Sequence, residues 1–176
     1  MKLDLPIAGA EVRTWQEHDL EPLVRIANNR DVARNLRDRF PHPYEAVDGL
    51  GFLHWVAQQP VESVWAIALD GSVVGGIGLQ LGHDIERVSA EIGYWLGQPF
   101  WGRGLATSAL RAVTNFAFAE FELTRLFAVP FESNSASIRV LEKAGYVLEG
   151  RLRQSAIKYG EVRDQRLYAA YRNQRR

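Results

Sequence analysis

The sequence contains no cysteine, which excludes disulfides, thiolate nucleophiles and cysteine-ligated zinc. It carries no excess of either charge, with 21 Lys+Arg against 21 Asp+Glu. No nucleic-acid partner and no attraction to an anionic membrane are therefore expected. No apolar run is long enough to span a bilayer, and the opening Met1-Lys2-Leu3-Asp4-Leu5-Pro6 lacks the apolar core of a signal peptide. A cytoplasmic location is the expectation that follows. His18, His42, His54 and His83 show no metal-ligand spacing, so no metal site is expected. Internal repeats and low-complexity linkers are also missing. What is there is 176 residues, 47% hydrophobic and 24% charged, the composition of one globular domain over residues 1–176 with a real core.

Taken in order, Ala10 to Trp15 alternates weakly and reads as a strand. Leu20 to Asn28 reads as a helix, with Leu20, Leu23, Val24 and Ala27 on one face. Arg30 to Arg39 is polar and basic, and Pro41 and Pro43 break it. Arg34, Arg37 and Arg39 either recognise an acidic partner or form a solvated face. Tyr44 to Gln59 reads as a helix that Gly49 and Gly51 weaken. Val64 to Leu69 and Val73 to Leu81 flank Asp70-Gly71, a hairpin turn pattern. Gly75, Gly76 and Gly78 within the second strand predict a bulge or the close approach of another backbone. Then follow a strand over Arg87–Leu96, a helix over Leu105–Phe118 and a short strand over Thr124–Val129. A helix over Ser133–Ala144 comes next, with Ser133 as cap and Gly145 as stop. Tyr146–Ile157 and Val162–Tyr171 close the chain as two strands. This alternation predicts an α/β layer fold with a mixed sheet of about seven strands and about four helices.

The richest stretch is Trp101 to Leu110, W-G-R-G-L-A-T-S-A-L, between a strand and a long helix. The first turn of a helix has unpaired N–H groups and the positive end of the helix dipole, so it attracts an anion. Gly102 and Gly104 let the backbone bend sharply and approach a ligand, Ala106 keeps the next position small, and Thr107 adds a hydroxyl. A phosphate group is the expected ligand. The stretch has no Walker lysine and, with Thr107 in place of a third glycine, no dinucleotide fingerprint. Taken alone, the pattern also fits a plain helix start with flexible glycines.

Glu91 to Leu110 resembles the acetyl-CoA-binding motif of the GNAT acetyltransferase superfamily. The family pattern Arg/Gln-x-x-Gly-x-Gly/Ala falls on Trp101, Gly104 and Ala106, with Trp101 replacing the usual Arg or Gln. Asn134 to Tyr146, N-S-A-S-I-R-V-L-E-K-A-G-Y, resembles the corresponding helix of the RimJ/RimL-type ribosomal-protein N-terminal acetyltransferases. Phe40 to Tyr44, F-P-H-P-Y, resembles a third motif of that branch. The resemblance covers nearly the whole chain. It implies the GNAT fold, whose central strands, here Arg87–Leu96 and Thr124–Val129, splay at one end to admit the pantetheine arm of acetyl-CoA.

What the resemblance implies for the site can be set against the chemistry of acetyl transfer. The cofactor must be held, the amine must lose a proton, the oxyanion must meet donors, and the thiolate must be stabilised as it leaves. The backbone N–H groups of Gly102, Arg103, Gly104, Leu105, Ala106 and Thr107 are assigned to the pyrophosphate, beside Trp101. The Arg103 side chain either adds charge there or is a solvated surface arginine. Trp95 and Leu96 are assigned through their backbone to pantetheine, and Asn134 to a contact near it. Glu91, alone in a largely apolar strand, is the candidate base, because partial desolvation of a carboxylate raises its pKa. The alternative for Glu91 is a structural ion pair. Some relatives place a glutamate later, where this chain has Ala156. The tyrosine used by many as acid is replaced by Leu141, and Ser137 is the branch's substitute. The resulting expectation is an acetyl-CoA-dependent N-acetyltransferase acting on a protein or peptide N-terminal α-amine, with a homodimer as the candidate assembly. A small-molecule amine acceptor and a catalytically silent acyl-CoA-binding module are the alternatives.

Overall fold

The computed structural model describes residues 1–172. Among these are eight strands and five α-helices. The strands are β1 (Lys2–Asp4), β2 (Ala10–Arg13), β3 (Val64–Leu69), β4 (Ser72–Leu81), β5 (Ser89–Leu96), β6 (Arg125–Ala128), β7 (Val147–Lys158) and β8 (Glu161–Tyr171). The helices are α1 (Leu20–Ala27), α2 (Arg30–Ala33), α3 (Ala46–Ala57), α4 (Leu105–Glu120) and α5 (Ser135–Lys143). The sheet is mixed: β5 pairs with β6 in parallel, whereas β1 with β2, β2 with β3, β3 with β4, β6 with β8 and β7 with β8 are antiparallel. The strand and the helix beyond the seven and four expected are β1, three residues long, and α2, a single turn. Both are too short to leave a periodic pattern. The described residues form two compact units, one of residues 1–78 and 94–109, the other of residues 79–93 and 110–172, so β4, β5 and α4 each pass from one to the other.

In the first unit β1, β2, β3 and β4 pair in that order, all antiparallel. Asp70 and Gly71 close the β3–β4 hairpin with φ of 50° and 80°, the two left-handed residues that a tight hairpin of this twist needs. The β3–β4 register shifts between Ile67 and Ala68. The predicted glycines explain the rest of β4. A Cβ on Gly75 would lie 2.2 Å from the carbonyl oxygen of Trp95, and one on Gly76 would lie 2.9 Å from the Trp95 indole nitrogen. Both expected features, an irregular register and a close backbone, are therefore present. The core of this unit joins Trp15, Leu23, Ile26, Ala27, Tyr44, Ala66 and Val73, with Phe40, Phe52, Trp95 and Phe100 packed against it. Trp15 meets Phe52 edge-on at 5.1 Å, a preferred aromatic geometry. Gly49, which weakens α3 by propensity, lets α1 come close: a Cβ there would sit 2.8 Å from Leu20 Cδ1. The reciprocal capping pair Glu45 and Asp48 starts α3, which is why it begins at Ala46 and not at Tyr44.

In the second unit β5 pairs with β6 in parallel, β6 with β8 and β8 with β7 antiparallel. Helix α5 starts at Ser135 with Asn134 as its cap, one residue later than a Ser133 cap predicts. Asn134 wins because its side-chain Oδ1 accepts from the N–H of Ser137 at 3.1 Å. Gly145 ends the helix at φ 93°, with Tyr146 N–H returning to Leu141 C=O at 3.0 Å, as a glycine stop requires. Leu141 is fully buried. Tyr159 and Gly160, at φ 53° and 80°, turn β7 into β8.

Candidate functional site

The turn after β5 is built in three steps. Gly97 N–H donates to Val74 C=O at 2.9 Å, anchoring the strand end to β4. A short 3-10 turn, Gln98–Phe100, follows, and the Asn29 side-chain amide, which also caps α2, donates to Gln98 Oε1 at 2.8 Å. Gly102 and Gly104 then take φ of 76° and 79°, left-handed values that any larger residue adopts only at a cost. A Cβ on Gly102 would meet nothing within 4 Å, and one on Gly104 only Ile7 Cδ1 at 3.9 Å. Open space lies over the turn, so backbone conformation and not crowding demands these glycines. The first bond of α4 runs from Ser108 N–H to Gly104 C=O at 3.0 Å. By helix geometry the N–H groups of Leu105, Ala106 and Thr107 then have no partner within the helix. Leu105 is buried and anchors the helix start, whereas residues 101–104 are exposed.

The side chains around the turn have distinct tasks. Arg103 lies over the Phe100 ring at 5.6 Å. Trp101 donates its indole N–H to Leu96 C=O at 2.8 Å, a contact that sequence reasoning did not anticipate. Trp95 packs edge-on against Phe40 at 5.1 Å, and Phe40 packs on Tyr44 at 5.0 Å. The F-P-H-P-Y connector is thus stacked on the last part of β5. Burial pushes the Tyr44 hydroxyl up to about 12, with the Asp48 carboxylate adding to the rise, so Tyr44 stays neutral through the physiological range.

The remaining candidates belong to the second unit. Glu91 is half-buried and sits opposite Phe127 in the parallel ladder. That ladder covers three pairs, Ser89↔Arg125, Ala90↔Leu126 and Glu91↔Phe127, whereas β5 runs on through Leu96. Gly93, two residues along, is exposed, and a Cβ there would meet nothing within 4 Å. Ser137 is half-buried in the first turn of α5. Asn134 spends its side-chain oxygen on the cap, which leaves its NH2 group as the polar end available to a ligand. Ala156 faces Arg163 across the β7–β8 pair. The connector before α5 is held by ion pairs: Glu132 meets Arg151 at 2.7 Å and Arg166 at 3.1 Å, and Arg151 also meets Asp164 at 2.6 Å. Thr114 and Tyr146 share a buried hydroxyl bond at 2.8 Å, and burial pushes Tyr146 up to about 12.

The structure thus gathers Trp95, Leu96 and Trp101 to Thr107 in one unit and Glu91, Asn134 and Ser137 in the other. Among the described residues, no group of three or more His, Asp or Glu side chains is placed to hold a metal ion, and no helix is long and apolar enough to cross a membrane.

Comparison with known proteins places this arrangement. Residues 11–147, about three quarters of the chain, match the family model described as an acetyltransferase (GNAT) domain. The putative ribosomal N-acetyltransferase YdaF of Bacillus subtilis is 37% identical over 97 residues, 54% of this chain, and over that match the chain spans only 51% of that protein. The spermidine N(1)-acetyltransferase of Escherichia coli is 26% identical over 159 residues, 89% of this chain and 82% of that protein. The solved structure of Mycobacterium smegmatis RimJ in complex with CoA-disulfide superposes with a TM-score of 0.83 at 25% identity, covering 97% of this chain and 86% of that one. An α/β sheet with its glycine turn at the start of a long helix, matched along this length, fixes the family: the chain belongs to the GNAT acetyltransferases.

Proposed function

We propose that this chain is an acetyl-CoA-dependent N-acetyltransferase whose acceptor is a protein or peptide N-terminal α-amine. The observation that carries the reading is the turn from Gly102 to Thr107. Two left-handed glycines under open space lead into a 16-residue helix whose first N–H groups lack helical partners. That is a fit for the pyrophosphate of acetyl-CoA, since an anion satisfies those donors and meets the positive end of the helix dipole. Arg103 adds charge beside it and Thr107 a hydroxyl. The backbone of Trp95 and Leu96 and the Asn134 NH2 group serve the pantetheine arm. The named activities of the B. subtilis and E. coli relatives, ribosomal and spermidine N-acetylation, support an amine acceptor of one kind or another.

When bound, acetyl-CoA supplies an activated acyl thioester. The chain's own residues do the rest. Glu91 takes the proton that the acceptor must lose, directly or through a water, because only a neutral amine has a lone pair to offer. Ser137 donates a hydrogen bond where negative charge develops on the leaving sulfur. No metal and no covalent enzyme intermediate enter this scheme. The whole chain acts as one catalytic domain, in the cytoplasm, where free protein N-termini and acetyl-CoA meet.

The test is release of free thiol from acetyl-CoA with a panel of acceptors: a peptide with a free N-terminus, an N-blocked peptide bearing lysine, a polyamine and an aminoglycoside. The free N-terminus is expected to give the highest kcat/KM. A polyamine or aminoglycoside well ahead of it replaces the acceptor. Saturable acetyl-CoA binding with no thiol released above background by any acceptor replaces the enzyme with a binding module.

A further inference from the structure

The indole of Trp101 has a task of its own. Leu96 is the last residue of β5, and its carbonyl accepts the Trp101 Nε1–H at 2.8 Å. Between these residues the backbone makes two tight internal bonds, Phe100 N–H to Gly97 C=O at 3.0 Å and Trp101 N–H to Gln98 C=O at 3.2 Å. Those bonds curl the segment locally but do not tie its far end back to the strand. The indole bond does: it closes the loop from Trp101 to Leu96 immediately before the left-handed Gly102. Glycines in this conformation have wide freedom, and the residue entering them sets the direction of the backbone that follows. The Leu96 end is itself rigid, since Leu96 is buried and the next residue is bonded to β4. A fixed strand end, a rigid planar side chain and a flexible glycine pair form a brace.

We propose that Trp101 is a positioning residue for the cofactor turn. Its indole N–H fixes the entry of the Gly102–Thr107 segment against the end of β5, so that the donors of residues 105–107 are presented in one geometry before any ligand arrives. The position where the family motif carries Arg or Gln holds here a side chain turned inward to the backbone. The same bond uses one of the two lone pairs of Leu96 C=O. This inference rests on the proposed binding of acetyl-CoA. It predicts that the brace acts on binding of the adenosine diphosphate end of coenzyme A and not on the acyl-transfer step.

The experiment uses Trp101→Phe, which keeps an aromatic ring at a half-exposed position and removes the donor. Loss of one partly buried hydrogen bond is expected to weaken acetyl-CoA about three- to tenfold. Both Kd by calorimetry and KM for acetyl-CoA rise by that factor, while kcat at saturating acetyl-CoA and KM for the amine stay within about twofold. A free coenzyme A titration gives the same ratio, because the acetyl group plays no part. Equal Kd in wild type and Trp101→Phe overturns the brace, as does a fall in kcat with KM unchanged. If the wild-type chain itself binds no acetyl-CoA, the proposed function fails and not the brace alone. Solvent exchange of the Trp101 indole proton in the wild-type protein decides the point even if the variant does not fold. Exchange slower than that of the exposed Trp55 indole supports the bond, and equal exchange overturns it.

Discussion

A glutamate at position 104 tests whether the turn binds an anion, because the structure separates its effect on folding from its effect on binding. Gly104 has φ 79° and would give a new Cβ a single distant neighbour, Ile7 Cδ1 at 3.9 Å. No core atom has to move. The cost to folding is the left-handed strain, about 1–2 kcal/mol, which lowers Tm by roughly 2–8 °C for a domain of this size. The cost to binding is far larger. A carboxylate held about 5 Å from a phosphate charge, at an effective dielectric of about 20, is repelled by about 3 kcal/mol for each unit charge. That alone weakens binding by more than about 100-fold, and the bulk of the side chain adds to it. Gly104→Ala isolates the strain, with the same small Tm shift and a much smaller loss of affinity. Gly75→Ala is the opposite control. Its Cβ would lie 2.2 Å from Trp95 C=O and 2.7 Å from Leu96 Cδ2, an overlap with backbone that costs about 3 kcal/mol or more and so lowers Tm further than Gly104→Glu does. The assays are calorimetric titration with acetyl-CoA and thermal unfolding. A folded Gly104→Glu protein with wild-type affinity refutes the assignment of the turn. A Tm loss above that of Gly75→Ala refutes the open space above it.

Three further outcomes follow from the same geometry. Ser137→Ala keeps the backbone N–H bond to Asn134 Oδ1, so stability is expected to stay near wild type while kcat falls about 10- to 100-fold; unchanged single-turnover rates remove Ser137 from the chemistry. Glu91→Gln is expected to lower kcat/KM strongly at neutral pH and to recover part of the loss at high pH, where the amine arrives neutral; superimposable pH profiles rule Glu91 out as base. Tyr44 and Tyr146 each hold their proton to about 12 in the folded state against 10 in the ordinary group. The fold therefore binds more protons than the unfolded chain between those values, and their contribution to stability is full below pH 10 and is lost as pH rises toward 12. Phenolate absorbance followed against pH tests this, and ionisation of both tyrosines near 10 without unfolding contradicts it.

Much of this arrangement was legible because local physics and tertiary use coincide. The β3–β4 hairpin announces itself through Asp70-Gly71, and both residues adopt the left-handed conformation that the pair encodes. Glycines in β4 signalled a close backbone, and Trp95 C=O is that backbone. Glycines at 102 and 104 ahead of an apolar-periodic run marked the turn and the helix together. What was not legible depends on contacts that no short pattern carries. Strand β1 is three residues long and exists through its pairing with β2. The start of α5 moved to Asn134 because two adjacent residues were both competent caps and only geometry chooses between them. The role of Trp101 was hidden because a tryptophan at a motif position reads as a substitution in a binding residue. Its indole N–H also bonds to Leu96 C=O, at the strand end from which the turn departs.

The proton balance of the reaction bears on the proposed acceptor. An N-terminal α-amine has a reference pKa of about 8 and a lysine side chain of about 10.4. At neutral pH the α-amine is therefore neutral at least a hundred times more often. A site that handles lysine as well must make up that difference, about 3 kcal/mol at 1.36 kcal/mol for each pKa unit, by strengthening its base or adding a second one. Where the family resemblance implies a later glutamate in some relatives, this chain has Ala156, on β7 opposite Arg163. A methyl group there has no lone pair with which to accept a proton from an ammonium. Glu91 then stands as the one carboxylate proposed for the task, at the last pair of the β5–β6 ladder, beside the open side of Gly93. With one base of ordinary chemical type, the acceptor that arrives already closest to neutrality gains most. On this argument we propose the α-amine, and not the lysine side chain, as the preferred acceptor.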